Sequence, residues 1–193
     1  MEDISREVLR KQFETNVFGL LELSNLAIPL MRQQGGGRII NLSSILGIIS
    51  LPFRGAYNAS KYAVEGISDT LRLELRSSGI DVITIEPGPI ESRFRDNCVD
   101  GSLQDVEMQK SYFNAHYERM LSSYKETKNN SFFTKTTDAV IQKFIHAIEA
   151  KKPRAKYPVT IPAHLFIFLK RVLSTKLLDK IFLLASKKEL SHK

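Results

Sequence analysis

Tyr57 and Lys61 stand four residues apart in GAYNASKYAVEG, a run rich in small residues between positions 55 and 66. If the run is helical, the spacing places both side chains on one face, one turn apart, with an ammonium beside a phenol. An isolated phenol, with a pKa of about 10, is a poor base near neutrality. A neighbouring positive charge favours the phenolate, so the pair suits proton exchange with a carbonyl or alcohol oxygen. The same Tyr-x-x-x-Lys spacing recurs at Tyr124 and Lys128, and each tyrosine has a serine thirteen residues earlier, Ser44 and Ser111. Spacing alone does not separate the two sets. Context does: Ser44 follows an apolar, β-branched run that reads as a strand, and open parallel sheets bind ligands beyond the carboxyl ends of their strands. Ser111 lies in the polar stretch QKSYFNAHYERM with no strand to present it, so the second set is expected to be a surface coincidence.

The elements that must position the first set alternate. Ser5 is a candidate N-cap, and Val8, Phe13, Val17, Leu20, Leu23, Ala27 and Leu30 recur at helical spacing from Arg6 to about Gln33, with Pro29 expected to bend the last turns. The glycines at 35–37 precede a strand and read as a turn, not as a phosphate cradle. RIINLS (38–43) has the composition of a buried parallel strand. A second helix is expected from about Ala56 to Arg76, stopping near Gly79, and a second buried strand in DVITIE (81–86), closed by Pro87-Gly88. Residues 89–135 are polar and irregular with helical patches. Thr136 or Thr137 caps a helix to about Ala150, RAKYPV offers a short third strand, and two apolar helices follow. The order is that of the second half of an α/β, Rossmann-like doubly wound parallel sheet, folded as one unit over 1–193. Such sheets open with a strand, a glycine-rich turn and a helix whose N-terminus takes a cofactor pyrophosphate. This chain begins directly in a helix, so it is expected to be truncated, with RIINLS left as an apolar sheet edge.

The 193 residues suffice for one domain with a real core. The net charge of +7 is unevenly placed: residues 151–193 hold 11 Lys/Arg against 2 Asp/Glu, and residues 1–150 hold 17 against 19. Basic residues mixed with IPAHLFIFLKRVL and LLDKIFLLA suit a membrane surface or an oily lid better than a phosphate groove, so no nucleic-acid partner is expected. The longest uncharged apolar run falls short of the roughly 20 residues that cross a bilayer. One cysteine, Cys98, makes no internal disulfide, and the chain shows no signal segment, so a cytoplasmic location is expected. His116, His146, His164 and His192 lack metal-ligand spacing, and no Gly-x-Ser-x-Gly elbow occurs, so neither a metal site nor a hydrolase is expected.

TNVFG (15–19), GRIINLSS (37–44), YNASK (57–61) and EPGPIES (86–92), in this order and at these intervals, resemble the C-terminal part of a short-chain dehydrogenase/reductase. GAYNASKYAVEGISDTLRLEL, EPGPIESRF and the late KYPVT are most similar to bacterial NADP(H)-linked aldehyde reductases and retinol-dehydrogenase-like members. The resemblance implies hydride transfer between a nicotinamide cofactor and an apolar carbonyl or alcohol, with NADP the favoured cofactor and NAD the alternative. It implies that Tyr57 exchanges the proton, that Lys61 favours its phenolate and holds the nicotinamide ribose, and that Ser44 orients the substrate oxygen, with Ser43 as the fallback. Asn16 would bend the first helix and hold a water relaying protons toward Lys61. Pro87, Gly88, Ile90 and Ser92 would lie against the nicotinamide, Ser92 standing where threonine is more common. Residues 89–135 match the family's variable substrate-binding segment, with Phe94, Tyr112, Phe113, Tyr117, Phe132 and Phe133 as candidate pocket aromatics. The helices at 6–33 and 56–76 resemble those through which members form homo-oligomers, so the alternative is a non-enzymatic interaction module. A further alternative is peripheral membrane contact through 161–185, within the basic apolar extension 151–193.

Overall fold

In a computed structural model, the described residues are 1–92, 110–126 and 133–186, with the backbone alone at 123–126. Helix α1 (Arg6–Phe13) starts where Ser5 Oγ accepts a hydrogen bond from Val8 N at 3.2 Å. The helical run to Gln33 is continuous but not uniform: Glu14–Phe18 forms a π-helical turn, and α2 (Gly19–Gln33) then passes through Pro29. The departure from α-helical hydrogen bonding thus lies at Asn16, well before the proline expected to bend the helix. π turns inside α-helices insert one extra residue and are frequent at functional sites.

The glycine cluster makes a close approach between two turns. Gly36 has φ +147°, Gly79 has φ +66°, and a Cβ on Gly36 would lie 2.6 Å from the Gly79 carbonyl oxygen. Gly37 N donates to that oxygen at 3.1 Å, which brings the starts of two strands together. These are β1 (Gly37–Leu42) and β2 (Ile80–Glu86), parallel and in register from Gly37↔Ile80 to Leu42↔Ile85. A third strand, β3 (Lys156–Pro158), pairs in parallel with β2, so the order is β1-β2-β3. Between them run α3 (Gly55–Glu74), α4 (Asn114–Glu126) and α5 (Thr137–Glu149), followed after β3 by α6 (Ile161–Val172) and α7 (Thr175–Ala185). Helix α3 stops two residues short of the expected Arg76 and gives way to a 3-10 turn, Arg76–Ser78, that Gly79 ends in the left-handed region.

β2 explains its own composition. Ile80 and Val82 face Ile28, Leu71 and Leu75 of α2 and α3, whereas Ile83 and Ile85 face Ala147 of α5 with Tyr157 and Val159. A strand covered on both faces reads as a continuous apolar run. Helices on both faces of a parallel sheet make the doubly wound architecture expected from the sequence. A smaller cluster of Ile45, Ile49 and Ala163, joined by Phe166 and Phe182, packs α6 and α7 against the loop after β1. Among the described residues β1 pairs only with β2, so it is the sheet edge, and no helix is long and apolar enough to cross a membrane.

Burial sets the cost of truncating these side chains. Ile85→Ala, at a position with no exposed surface, should destabilise the chain by about 2–5 kcal/mol. Leu73→Ala, on the exposed face of α3, should stay within about 0.5 kcal/mol. Urea denaturation of both variants measures the difference; equal costs would contradict the packing of β2 between two helical layers.

Candidate active site

The site forms where β1 and β2 end side by side. Beyond the strand, Ser43 N donates to the Ile85 carbonyl at 2.8 Å and Ile45 N to the Pro87 carbonyl at 2.9 Å, so the chain after β1 stays zipped to the turn after β2. Ser44 is held between them in extended conformation. Its Oγ accepts from Leu46 N at 3.1 Å, capping the 3-10 turn Ile45–Gly47, and donates to the Pro87 carbonyl at 3.4 Å. Ser43 Oγ is buried with no partner among the described residues.

Helix α3 brings the tyrosine and lysine to the same end of the sheet. Asn58 fastens its first turn, donating from Nδ2 to the Leu51 carbonyl at 2.9 Å. Tyr57 lies in that turn, and Lys61 follows on the same face with Nζ 5.7 Å from the Tyr57 ring centroid. Lys61 is 9% exposed and donates to the Leu42 carbonyl at 2.8 Å, the last residue of β1. The π turn supplies the third side. Asn16 Nδ2 donates to Ser60 Oγ at 3.0 Å, and Ser60 Oγ donates to the Tyr57 carbonyl at 2.9 Å. The turn after β2 is packed on the start of α6: a Cβ on Gly88 would fall 2.1 Å from Thr160 Oγ1.

One cavity of about 790 Å³ is lined by Asn16, Ser44, Tyr57, Lys61, Pro87, Gly88, Ile90 and Ser92, together with Ser43. All eight residues singled out from the sequence therefore converge on one space. Its apolar wall departs from expectation. Of the six expected aromatics, Tyr117 lines the cavity, and Phe113 stacks edge-on to Phe53 behind it at 5.6 Å. Tyr112 and Phe133 are exposed instead, as their segments end in turns at the surface. Phe94 and Phe132 lie outside the described residues. The wall comes largely from residues that sequence reasoning passed over: Ile4 and Val8 before and in α1, Phe53, Met120 on α4, and Val140, Ile141 and Phe144 on α5. Phe53 has φ +58°, a strained value for a phenylalanine, and packs edge-on to Tyr117 at 5.3 Å. The clue available in the sequence was its place four residues before Tyr57, in the loop that enters α3.

Of the second Tyr-x-x-x-Lys set, the serine has no such setting. Ser111 Oγ accepts from Phe113 N at 2.9 Å just ahead of α4 and borders no strand. The Tyr124 side chain and Lys128 lie outside the described residues.

Burial dominates the electrostatics. It pulls the Lys61 ammonium down from 10.5 to about 8, opposed by the negative charge of Glu65 one turn further along α3. Burial, reinforced by Glu65, pushes the Glu86 carboxyl up from 4.5 to about 7, against Lys156 and a hydrogen bond from Thr84. Tyr117 is pushed well above the ordinary phenol range by burial and by its hydrogen bond to Asp3 Oδ2 at 2.9 Å, so it lines the cavity as a neutral phenol.

The short chain dehydrogenase family profile matches residues 1–102. The chain is 42% identical over 178 residues to an uncharacterized oxidoreductase of Escherichia coli K12, YbbO, covering 92% of this chain and 60% of that protein. It is 31% identical over 180 residues to the NADPH-dependent 3-dehydrocapnine reductase of Ornithobacterium rhinotracheale, covering 91% and 62%. It is 32% identical over 186 residues to 17-beta-hydroxysteroid dehydrogenase type 6 of Rattus norvegicus, covering 91% and 56%. Among solved structures, a short-chain dehydrogenase from Streptomyces avermitilis matches with TM-score 0.68 over 97% of this chain and 64% of that one, at 24% identity. One from Burkholderia cenocepacia, in complex with NADP, matches with TM-score 0.64 over 97% and 63%, at 19% identity. Both share the fold. The chain spans about 60% of the length of these relatives.

The Glu86 shift has a stability consequence of definite sign. Between pH 4.5 and about 7 the folded chain keeps a proton that the unfolded chain has lost. The stabilisation from this group is therefore complete below 4.5 and disappears as pH rises through about 7. Urea denaturation across this window should show stability falling less with pH in Glu86→Gln than in the unmutated chain. Parallel pH dependences would mean that Glu86 ionises normally in the fold.

Proposed function

We propose that this chain, which belongs to the short-chain dehydrogenase family, carries the proton-transfer side of a nicotinamide-dependent oxidoreductase that interconverts an apolar carbonyl compound and its alcohol. The observation that supports this most is the convergence of Ser44 and Tyr57 on one cavity, with a buried ammonium behind the phenol. In the reduction direction Ser44 Oγ hydrogen-bonds the substrate oxygen and fixes its approach, and Tyr57 gives that oxygen its proton; in oxidation Tyr57 takes it back. Lys61 favours the phenolate by its charge. Asn16, whose side-chain amide donates a hydrogen bond to Ser60 Oγ that fixes its distance from α3, holds the water through which protons reach Lys61.

The polar end of the cavity fits a nicotinamide riboside. It combines the ammonium of Lys61, the amide of Asn16 and a buried Ser43 hydroxyl that has no partner among the described residues. In this reading Tyr57 and Lys61 hold the ribose hydroxyls, and Pro87, Gly88, Ile90 and Ser92 hold the carboxamide. The nicotinamide, when bound, supplies or accepts the hydride. NADP is favoured over NAD, supported by a relative named for NADPH dependence and a fold neighbour in complex with NADP.

Val8, Phe53, Met120 and Phe144 around the cavity favour an apolar aldehyde, ketone or alcohol, of the aldehyde-reductase or retinol type. A relative named for a hydroxysteroid supports the same class. From the 89–135 segment, Tyr117 and Met120 line the substrate side of the pocket, and the setting is the reducing cytoplasm. Two surfaces complete the reading. Phe18, Leu23, Leu26 and Leu30 are exposed along the π turn and α2, which favours pairing with a second copy of the chain. Ile161, Leu165, Phe168 and Val172 recur on the exposed side of α6, and the exposed bases Arg171, Lys176 and Lys180 lie nearby, which favours peripheral contact with an anionic membrane surface.

Titrating the 193-residue chain with NADPH, followed by nicotinamide fluorescence, should give saturable binding and reduction of an apolar ketone. Tyr57→Phe should leave far-UV circular dichroism unchanged and weaken NADPH binding only modestly, because Lys61 still holds the ribose, while lowering kcat by about 10²–10⁴-fold. Unchanged turnover would remove Tyr57 from the mechanism, and no binding by a folded chain would sink the oxidoreductase reading for this polypeptide. With vesicles containing phosphatidylserine, the chain should float and a Leu165→Glu/Phe168→Glu double variant should not; equal flotation, or none, would rule out α6 as a membrane contact.

A further inference from the structure

One turn beyond Lys61, α3 carries a carboxylate that the proposed reaction leaves unused. Glu65 is 6% exposed, and a carboxylate is buried at high cost unless it is paired. Its Oε2 accepts a hydrogen bond from Lys156 Nζ at 2.7 Å, while Oε1 is buried without a hydrogen-bond partner among the described residues. Lys156 comes from β3, and it also lies 3.1 Å from Asp69 Oδ1 and 3.9 Å from Glu86 Oε1. The loop that follows Ser44 covers this turn of α3. A Cβ on Gly47 would sit 2.7 Å from the Lys61 carbonyl oxygen and 3.0 Å from Glu65 Cγ, so the backbone lies directly over both residues where a side chain would hold it off. Lys61, for its part, is hydrogen-bonded to a neutral acceptor, the Leu42 carbonyl.

We propose that Glu65 is a positioning residue that keeps Lys61 charged in the interior, and that Lys156 clamps it for that task while the Gly47 backbone shields the pair from water. The inference rests on the proposed role of Lys61 beside Tyr57. Residues four apart on a helix share a face, about 5–6 Å apart at Cβ, and a nearby opposite charge favours the ionised form of a buried group. The charged groups facing Glu65 are Lys61 and Asp69 on its own helix, Glu86 from β2 and Lys156 from β3. Two of these repel it. Lys156 offsets them and fixes Oε2, and the Glu86 carboxyl, which holds its proton up to about pH 7, adds its repulsion only above that. Glu65 then opposes the pull of burial on the Lys61 ammonium.

Nuclear magnetic resonance of the chain labelled at lysine Cε, with the Lys61 signal assigned through Lys61→Arg, reads the titration directly. The Lys61 midpoint should fall by about one pH unit in Glu65→Gln and recover at least in part in Glu65→Asp. An unmoved midpoint in folded Glu65→Gln would overturn the proposal. A second measurement needs no change at position 65: in the unmutated chain, the Glu65 carboxyl carbon should show an inflection at the Lys61 midpoint that Lys61→Arg removes. Absence of that inflection would equally overturn it. Neither readout requires turnover, so a chain that fails as an oxidoreductase still decides the question.

Discussion

The hydrogen bond from Lys61 Nζ to the Leu42 carbonyl, 2.8 Å long, is the constraint around which the site is arranged. It ties the first half of α3 to the carboxyl end of β1. That end is fixed in turn by six consecutive register pairs with β2 and by the two backbone bonds that continue beyond them. With Lys61 anchored, helical geometry places Tyr57 one turn back, on the cavity that Ser44 also lines. The same bond requires that an ammonium be buried, and burial penalises charge. Much of the polar structure around α3 answers that penalty.

Between α3 and the sheet runs a seam of paired polar groups within an otherwise apolar interface. Asn41 Nδ2 donates to Ser68 Oγ at 2.9 Å, Ser68 Oγ to the Val64 carbonyl at 2.7 Å, and Thr84 Oγ1 to Glu86 Oε1 at 3.2 Å. Aliphatic contacts such as Leu71 and Leu75 on Ile80 and Val82 tolerate small rotations of a helix; directional bonds do not. The bonds that cross from the sheet to the helix, Asn41 to Ser68 and Lys61 to Leu42, therefore fix the rotation of α3 about its axis, and with it the direction in which Tyr57 points. On the far side of the site, the close fit of Gly88 on Thr160 ties the turn after β2 to α6. Lys170 of α6 donates to the Ile48 carbonyl and lies 4.8 Å above the Tyr62 ring, joining α6 both to the loop after Ser44 and to α3.

Three apolar surfaces remain uncovered among the described residues, and their rims differ. The face of α2 is bordered by Glu14, Glu22 and Arg32, charges of both signs. Ile141, Ile145 and Ile148 are exposed on α5, and Ile141 also lines the cavity, so the cavity opens along that helix. The outer side of α6 and α7 is rimmed mainly by bases. Large exposed apolar patches mark interaction surfaces, and the charge around each one selects the partner it suits.

Much of this was legible in the sequence because local periodicity carries it. Period 3.6 in residues 6–33 and 56–76 and apolar runs in 38–43 and 81–86 place the helices and parallel strands within a residue or two of those observed. The four-residue step from Tyr57 to Lys61 puts the pair on one face, and the strand ends point to where Ser44 and Pro87 would meet. What periodicity does not carry is which distant groups touch. Asn16 reaches Ser60 across 44 positions through a π turn with no sequence signature, and Lys156 reaches Glu65 across 91. Phe53 rather than Tyr112 or Phe133 walls the cavity because a left-handed backbone turns it inward, a choice made by the loop's packing on Tyr117 and Phe113. The sequence by itself determined the elements, their order and the shared face of tyrosine and lysine. Only the tertiary structure decided that Lys61 is buried and which carboxylate opposes the loss of its charge, since desolvation depends on everything packed around a group and not on its neighbours in the chain.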